Sequence, residues 1–404
     1  MTQRIVIVGG GIIGTSTLYQ LALRAATDNL QLTLVEGSSI AAGASGKAGG
    51  LLALDWHGPA TASLAALSYG LHAQLAKVHD GPSRWGYRQL HTLSVSADFQ
   101  SVSKGASARP TGTKTPKQHE ELFPWLSRDV LRDSEVLGSP ETTAQVHPEQ
   151  FTRAMVDLAR EKAGDRVKIV YGTAESLSPP SSPSAPYTLS VRPRDSPSDA
   201  LEQLEADALV IAAGPWTGRL LTSLGLSKRT GGAKPGRAAD IRGSRAHSVV
   251  VRPPDGKELP AQALFTSIKT KGGHAEPEIY NRPDGTSYAC GPTDGSDLPT
   301  HASSVTVDSS AIALLLAQTA QLAPDHLDVQ KGAKVEREQA CYLPVGSGDP
   351  VIGRIEGTEK GRGVFVASGH SCWGICNGPG TGLVLSELIL DGKAKSADIS
   401  RLGP

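Results

Sequence analysis

The chain begins with a short apolar run that leads directly into a glycine-rich turn. Residues 5–8 are Ile-Val-Ile-Val, three glycines follow, and an amphipathic stretch covers residues 17–23. A second apolar run, residues 31–35, ends in Glu36. Apolar runs of this length are typical of strands buried on both faces, and the spacing between them favours a helix. The pattern therefore predicts a strand, a turn, a helix and a second, parallel strand.

The glycines of the turn, Gly9, Gly11 and Gly14, have the spacing G-x-G-x-x-G. In a dinucleotide-binding unit the first permits a tight turn, the second lets the backbone approach a pyrophosphate, and the third lets helix and strand pack closely. The helix N-terminus presents free N–H groups and a positive dipole end to the phosphates. Glu36 follows about 20 residues later, where a carboxylate accepts hydrogen bonds from ribose hydroxyls. The alternative is a structural turn in an α/β domain that binds no nucleotide.

Later segments continue the α/β pattern. Residues 60–78 and 149–162 carry apolar positions at helical spacing, and residues 167–171 form a predicted strand with residues 189–191 as its hairpin partner. Residues 207–216 form a near-continuous apolar run that ends in Gly-Pro-Trp, which predicts another parallel strand buried on both faces. The carboxyl ends of such strands are where α/β folds bind ligands.

The end of the chain returns to this pattern after a segment of different character. Between residues 245 and 335 the sequence predicts short strands and hairpin turns, typical of an antiparallel β-rich insertion. Residues 363–370 then predict a strand, and residues 383–390 a last helix capped by Gly392. We therefore predict an α/β fold, α+β overall, in which a Rossmann-type domain contains an inserted antiparallel β-rich domain.

Two polar segments interrupt the predicted elements. Residues 101–117 and 178–198 are rich in serine, glycine and proline. We expect both to be surface loops inserted between strands.

Composition narrows the classes of function. The 404 residues have a formal net charge of zero, so no overall field attracts nucleic acid or an anionic membrane. No stretch has the roughly 20 apolar residues that span a bilayer, and the first strand begins too close to Met1 for a signal peptide. The four cysteines, Cys290, Cys341, Cys372 and Cys376, suit a reducing compartment and lack zinc-site spacing. We expect a cytoplasmic protein without a metal.

Taken in order, these motifs resemble the FAD-dependent oxidoreductases of the D-amino-acid oxidase superfamily, which includes glycine oxidase and sarcosine oxidase. The likeness covers nearly the whole chain and rests on residues 9–14, Glu36, residues 45–50, 212–216, 367–370 and 378–382. Within the group, residues 339–344 and 369–375 are similar to a branch with fungal and plant members.

The resemblance implies FAD as the cofactor and divides the chain into two domains. The FAD-binding domain would comprise residues 1–57, 140–235 and 340–404, and the substrate domain residues 58–139 and 236–339. The residues implied for FAD binding are Gly9, Gly11, Ile12, Ile13, Gly14, Glu36, Gly37, Ser45, Gly46, Lys47, Ala48, Gly49, Gly50, Ala213, Gly214, Trp216, Gly369, His370, Gly374, Gly378, Gly380, Thr381 and Gly382. A helix beginning at residues 381–383 would direct its dipole to the flavin, or would simply be a capped helix.

The resemblance also implies the chemistry. Family members transfer a hydride from the carbon next to an amine nitrogen to flavin N5, and water hydrolyses the resulting imine. The amine must be neutral beforehand, so a modest base or a desolvating pocket helps.

Three residues are catalytic candidates. Lys47 replaces the flavin-linking histidine of dimethylglycine-type dehydrogenases; it either stabilises reduced flavin and steers oxygen chemistry, or pairs with a phosphate or surface acid. His57 follows that loop and either faces the substrate or is structural. His370 ends a strand near the expected flavin face, where it contacts flavin or substrate, or serves the fold.

Cys341 lies close to where sarcosine oxidase carries its flavin-linking cysteine, but the surrounding pattern differs. We expect noncovalent FAD, with linkage through Cys341 as the alternative to a buried thiol. For a substrate carboxylate the resemblance implies an arginine, often with a tyrosine. Arg282, Tyr280, Tyr288 and Tyr342 are available, although Arg282 lies in a predicted turn where it would be solvated.

The sequence therefore predicts FAD-dependent oxidation of a small amine or amino acid. The oxygen-activating lysine of sarcosine-oxidase-like enzymes has no counterpart near residues 288–291. Its absence counts against an oxidase and in favour of a dehydrogenase that passes electrons elsewhere, so the acceptor is either O2 or a molecule that the sequence does not identify. The alternative function is a flavin-bearing protein that acts mainly through a protein partner, for example in trafficking or assembly.

Overall fold

The computed structural model describes residues 2–100, 122–182, 184–194, 200–227, 236–346 and 348–404. The strands are β1 (Gln3–Val8), β2 (Leu30–Glu36), β3 (Leu51–Ala53), β4 (Arg88–Gln89), β5 (His91–Asp98), β6 (Leu131–Gly138), β7 (Thr143–Gln145), β8 (Val167–Ser178), β9 (Tyr187–Pro193), β10 (Glu202–Ala206), β11 (Ala208–Ile211), β12 (Arg242–Arg252), β13 (Gln262–Thr270), β14 (Gly273–Ala275), β15 (Glu278–Asn281), β16 (Ser287–Asp294), β17 (Lys334–Val345), β18 (Val351–Glu356) and β19 (Gly363–Ser368). The helices are α1 (Ile12–Ala22), α2 (Ala44–Lys47), α3 (Ala62–Val78), α4 (Gly81–Trp85), α5 (Pro148–Ala163), α6 (Thr217–Ser223), α7 (Ser309–Leu322), α8 (Pro324–Leu327) and α9 (Gly374–Asp391). The loop predicted over residues 101–117 lies outside the described residues.

The first sheet carries the nucleotide-binding pattern. Its strand order is β10-β9-β8-β2-β1-β11-β19-β18, and β8, β2, β1, β11 and β19 run parallel. The predicted runs therefore become the buried centre of the sheet, where Ile7 pairs with Leu34 on one side and Val210 on the other. The predicted hairpin partner of β8 is confirmed, since β9 pairs with β8 antiparallel. The Rossmann-type α/β fold is confirmed.

Helices cover this sheet and share one hydrophobic core with it. Leu64 and Leu75 of α3 belong to the same buried cluster as Ile5 and Ile7 of β1 and Val384 of α9. Helix α3 lies in the range expected for the substrate domain, yet it packs on the nucleotide-binding sheet's helices. The domain boundaries stay a prediction.

Helix α9 begins at Gly374, nine residues before the predicted start, so that prediction was wrong. The glycines and Pro379 that suggested a loop lie inside the helix. Pro379 has no N–H for the carbonyl of Ile375, and His72 of α3 takes its place with Nε2 at 2.9 Å from that oxygen. Ser68 Oγ donates to the Cys376 carbonyl at 2.6 Å and accepts from the Gly380 N–H at 3.0 Å. Contacts from α3 therefore make this glycine-rich sequence helical.

The glycines of α9 allow close helix packing. A Cβ on Gly382 would lie 2.5 Å from the carbonyl carbon of Ser16 in α1, and one on Gly378 would lie 2.6 Å from Ile12. On the other side, a Cβ on Gly380 would lie 2.9 Å from the Ser68 Cβ. A Cβ does not approach a neighbouring atom so closely, so the glycines let α9 pack against the backbone of α1 at Ser16 and against the side chains of Ile12 and Ser68.

The second sheet has two different faces. Its strand order is β17-β12-β16-β15-β13-β5-β6, with β14 paired to β13, and the turn predicted at residues 282–285 joins β15 to β16. One face, with Leu264, Ile279 and Ala289, is buried in a cluster with Ile312 and Leu315 of α7. The opposite face looks toward the first sheet. A third, three-stranded sheet has the order β3-β7-β4, and both of its strand pairs are antiparallel.

Among the described residues, no helix has both the length and the apolar character needed to cross a membrane. The cytoplasmic location stays a prediction.

The packing of α9 on α1 generates a stability prediction. We expect Gly382→Ala to lower the free energy of unfolding by about 2 kcal/mol or more, because backbone atoms of Ser16 cannot move aside. Gly70→Ala is the matched control, since Gly70 is also helical but faces open space; alanine there is expected to raise stability by up to about 1 kcal/mol. Urea denaturation measures both, and equal effects would contradict the packing account.

Candidate functional site

The two sheets enclose a cavity of about 660 Å³ at the carboxyl ends of β1, β2, β11 and β19. The face of the second sheet that α7 leaves uncovered forms its opposite wall. Small-molecule sites commonly occupy roughly 300–1,000 Å³, and open α/β sheets bind ligands at this edge.

The N-terminal glycine turn lines one end of the cavity. Gly9 has φ +120°, and a Cβ there would lie 2.2 Å from the Ala212 carbonyl oxygen. A Cβ on Gly14 would lie 1.9 Å from the Gly9 oxygen, so this glycine serves the packing of turn on helix. Helix α1 begins after Gly11 with no side-chain cap of its own, and Ile12 N–H donates to Ser45 Oγ at 2.9 Å. The helix N-terminus therefore faces the cavity as an anion-binding end.

Glu36 closes this end of the cavity at the end of β2. Its carboxylate accepts from the N–H of Gly10 and from the N–H of Ser38, each at 2.7 Å. Burial raises the pKa of Glu36, and the two backbone hydrogen bonds oppose that shift. The carboxylate is therefore fixed beside the glycine turn and lines the cavity.

The loop over residues 43–50 crosses the middle of the cavity. A Cβ on Gly46 would lie 2.2 Å from the Ala41 oxygen, so Gly46 lies behind the wall, while Gly49 lies against the Tyr280 ring. Lys47 lines the cavity, where its Nζ donates to the Ala340 carbonyl at 2.8 Å. Burial lowers the pKa of Lys47.

Cys341 lies next to Lys47 on β17 and also lines the cavity. Burial raises the pKa of its thiol to about 11, and the Lys47 cation opposes the shift. The thiolate is the nucleophilic form of cysteine, so burial makes Cys341 a weaker nucleophile than an ordinary thiol at neutral pH.

His370 and the turn after it form the far end of the cavity. His370 is buried, and its Nε2 lies 3.1 Å from Thr381 Oγ1, while its Nδ1 has no partner among the described residues. Burial lowers its pKa to about 4, so the ring is neutral at pH 7. Helix α9 then begins at Gly374 without a side-chain cap, so its positive dipole end lies at the cavity rather than at residues 381–383 as predicted.

His57 does not reach the cavity lining. Its ring lies 4.3 Å from that of Trp373, and its Nε2 lies 3.9 Å from Cys376 Sγ. Trp373 lines the cavity, so any effect of His57 there passes through Trp373.

The second sheet contributes a wall that the sequence analysis recognised only in part. Glu278 pairs with Phe265 and Cys290 on neighbouring strands, and Tyr280 pairs with Tyr288. Residues two apart share a face of a strand, so these five side chains line the cavity together. The alternation of residues 278–280 predicts that Glu278 and Tyr280 share one face of a strand. The pairing register with the neighbouring strands is needed to place that face at the cavity.

Arg282 occupies a different place from the one expected of a turn residue. It is buried, its Nη2 donates to the Ala48 carbonyl at 3.0 Å, and its guanidinium lies 5.0 Å from the Tyr288 ring centre. It lies behind the wall and outside the cavity lining, and so does Tyr342, whose hydroxyl donates to the Asp297 carbonyl. The expectation of a solvated Arg282 was wrong, because the turn folds against the residue 43–50 loop.

The predicted site residues thus fall into two groups. Those that line the cavity are Gly9, Gly11, Ile12, Ile13, Glu36, Gly37, Ser45, Lys47, Ala48, Gly49, Gly50, Ala213, Gly214, Trp216, His370 and Gly374. Those that lie outside the lining are Gly14, Gly46, His57, Gly369, Gly378, Gly380, Thr381 and Gly382. The last four lie within α9, where the predicted loop does not exist.

Comparison with known proteins identifies the family. The family model described as FAD dependent oxidoreductase matches residues 4–388. The chain belongs to this family of FAD-dependent oxidoreductases. A Schizosaccharomyces pombe protein provisionally described as an oxidoreductase is 37% identical over 419 residues, covering 100% of this chain and 98% of the relative.

Solved structures agree with the fold of this FAD-dependent oxidoreductase. Glycine oxidase from Geobacillus kaustophilus superposes with a TM-score of 0.73 at 22% identity, over 100% of this chain and 98% of the enzyme. L-Proline dehydrogenase from P. horikoshii gives 0.71 at 18% identity, over 100% and 97%.

The described residues fit FAD as the oxidoreductase's cofactor. The positive dipole end of α1, where the Ile12 N–H donates to Ser45 Oγ, suits a pyrophosphate, and the buried Glu36 carboxylate beside it suits a ribose. The cavity continues from there to the uncapped N-terminus of α9. It therefore offers complementary groups at both ends of an extended ligand.

The neutral state of His370 generates a pH prediction. The pKa of His370 is about 4 in the folded protein and about 6.5 in the unfolded chain. Below pH 6.5 the unfolded chain therefore binds a proton that the folded protein does not, and the free energy of unfolding decreases as the pH is lowered. We expect His370→Asn to lose about 2 kcal/mol less unfolding free energy than the unsubstituted protein between pH 7 and pH 5.

Urea titrations at several pH values measure this difference. His274→Asn is the control, because His274 is exposed. An equal loss in His370→Asn and the unsubstituted protein would contradict the buried, neutral ring.

Proposed function

We propose that this FAD-dependent oxidoreductase oxidises a small amine or amino acid at the carbon bonded to nitrogen, giving an imine that water hydrolyses. The observation that carries the proposal is the course of the cavity. It runs from the N-terminus of α1 to the space between His370 and the wall formed by Glu278 and Tyr280. That last part is lined by aromatic and polar side chains, as small-molecule sites are.

The residues proposed to hold FAD follow from the ends of this cavity. The N-terminus of α1, with Gly11 and Ile13 on either side of the Ile12–Ser45 hydrogen bond, would hold the pyrophosphate, and Glu36 would hold a ribose. The loop with Lys47 and the N-terminus of α9 would lie along the flavin ring. When bound, FAD supplies a two-electron acceptor for hydride transfer.

The chain's own side chains prepare the reaction. Lys47 would supply a cation next to the ring and so stabilise negative charge there. Burial lowers the pKa of Lys47 and so opposes its protonation. His370, neutral and held by Thr381, would form part of the wall at the flavin end without adding charge there. His57 would act only by supporting Trp373.

Lys47 provides the functional test. Anaerobic mixing of the yellow protein with a panel of amines and amino acids is expected to bleach the flavin band near 450 nm. Lys47→Met is expected to slow bleaching about tenfold or more, which is of the order of one lost electrostatic contact. Lys77→Met, which alters an exposed lysine of α3, should bleach at the unsubstituted rate.

Failure of every amine and amino acid to bleach the flavin would contradict the proposal. That result would favour the alternative of a flavoprotein acting through a protein partner. Following oxygen uptake and dye reduction in the same reactions identifies the acceptor.

The state of Cys341 generates a second test. Because burial keeps its thiol protonated, we propose noncovalent FAD. Acid precipitation is expected to release all yellow colour into the supernatant. Colour that stays in the pellet, and is released in Cys341→Ser, would establish the covalent alternative.

A further inference from the structure

The charges around the substrate end of the cavity are unusual for a site that binds an amino acid. On the second sheet, Glu278 is the ionisable carboxyl that faces the cavity. Arg282 lies behind the cavity wall, where its guanidinium donates to the Ala48 carbonyl. Among the described residues that line the cavity, Arg219 is the one arginine. Its side chain is exposed and donates to the carbonyls of Leu298 and Pro299.

Glu278 is held in place but only half satisfied. Its Oε2 accepts from the Tyr280 hydroxyl and lies 3.8 Å from Cys290 Sγ. Within the described chain, Oε1 has no hydrogen-bond donor. Burial raises the pKa of this carboxyl, so its ionised form lacks the compensation that a buried anion requires.

Aromatic rings surround this carboxyl. Phe265 and Tyr280 have ring centres 6.2 Å apart, and Tyr280 and Tyr288 have theirs 5.8 Å apart. Trp373 completes the lining from the α9 side. Ring faces attract cations, and a carboxylate among them adds a direct counter-charge. A carboxylate ligand placed here would instead be repelled by Glu278.

We propose that Glu278 and these rings form a cation site that selects amines lacking a carboxylate, in which the substrate's ammonium group binds at Glu278 and the Glu278 carboxylate then accepts the proton that the amine must lose before hydride transfer. The inference rests on the proposed function and names its substrate class. Lys47 is the cation that would favour the opposite choice, but its Nζ is directed to the Ala340 carbonyl. The selection therefore depends on the second sheet.

A binding experiment tests the cation site without turnover. Tetramethylammonium and acetate are titrated into the FAD-loaded protein, and the flavin absorption spectrum reports binding. Tetramethylammonium is expected to bind with at least tenfold lower Kd than acetate. Glu278→Gln should raise its Kd about tenfold. Glu276→Gln, two residues earlier and exposed, should leave the Kd unchanged.

Two results of this titration would overturn the inference. One is tighter binding of acetate, or no binding of tetramethylammonium. The other is an equal Kd for tetramethylammonium in Glu278→Gln and the unsubstituted protein. Tyr280→Phe checks the fold of the site, because it keeps the ring and should retain at least part of the affinity.

Matched substrates separate this inference from the proposed function. Isobutylamine and valine differ by one carboxylate, as do benzylamine and phenylglycine. We expect each amine to reduce the flavin at least tenfold more efficiently than its partner. Faster reduction by the amino acids would overturn the cation site and keep the proposed function. No reduction by any compound, with Glu278-dependent binding of tetramethylammonium, would keep the cation site and reject the proposed function.

Discussion

The structure depends on how closely α1 is held between its neighbours. At its start, Gly14 lies against the Gly9 carbonyl, and along its length Ser16 lies against Gly382 of α9. A side chain at any of these glycines would push the helix away. Such a shift would move the N-terminus of α1 away from the cavity that it lines. Backbone contact therefore positions the cofactor end of the site.

The same packing extends to the opposite end of the cavity. Helix α3 supplies Ser68 and His72, which replace the hydrogen bonds that Pro379 and its neighbours disturb in α9. This keeps α9 helical back to Gly374, so its N-terminus meets the cavity. One compact arrangement of α1, α3 and α9 thus presents two helix N-termini to a single ligand-sized space.

The local patterns were enough to predict the strand–turn–helix unit and the parallel core. Gly9, Gly11 and Glu36 could be predicted because their roles follow from their spacing to the neighbouring strand and helix, which is visible in the local sequence. The start of α9 could not be predicted, because Pro379 and the glycines around it break a helix unless side chains of α3 supply the missing hydrogen bonds. Arg282 looks solvated in its turn, and only the tertiary contact with Ala48 reveals its burial. Glu278 needs the register of three strands to be placed in the cavity.

A crystal structure of the protein with FAD tests the central claim most directly. We expect the pyrophosphate at the N–H groups of residues 11–13, with the flavin ring between Lys47 and the N-terminus of α9. The free face of the ring should look toward Glu278 and Tyr280. A ring that lies against Gly378 and Gly382, or that leaves the second sheet out of reach, would contradict the account.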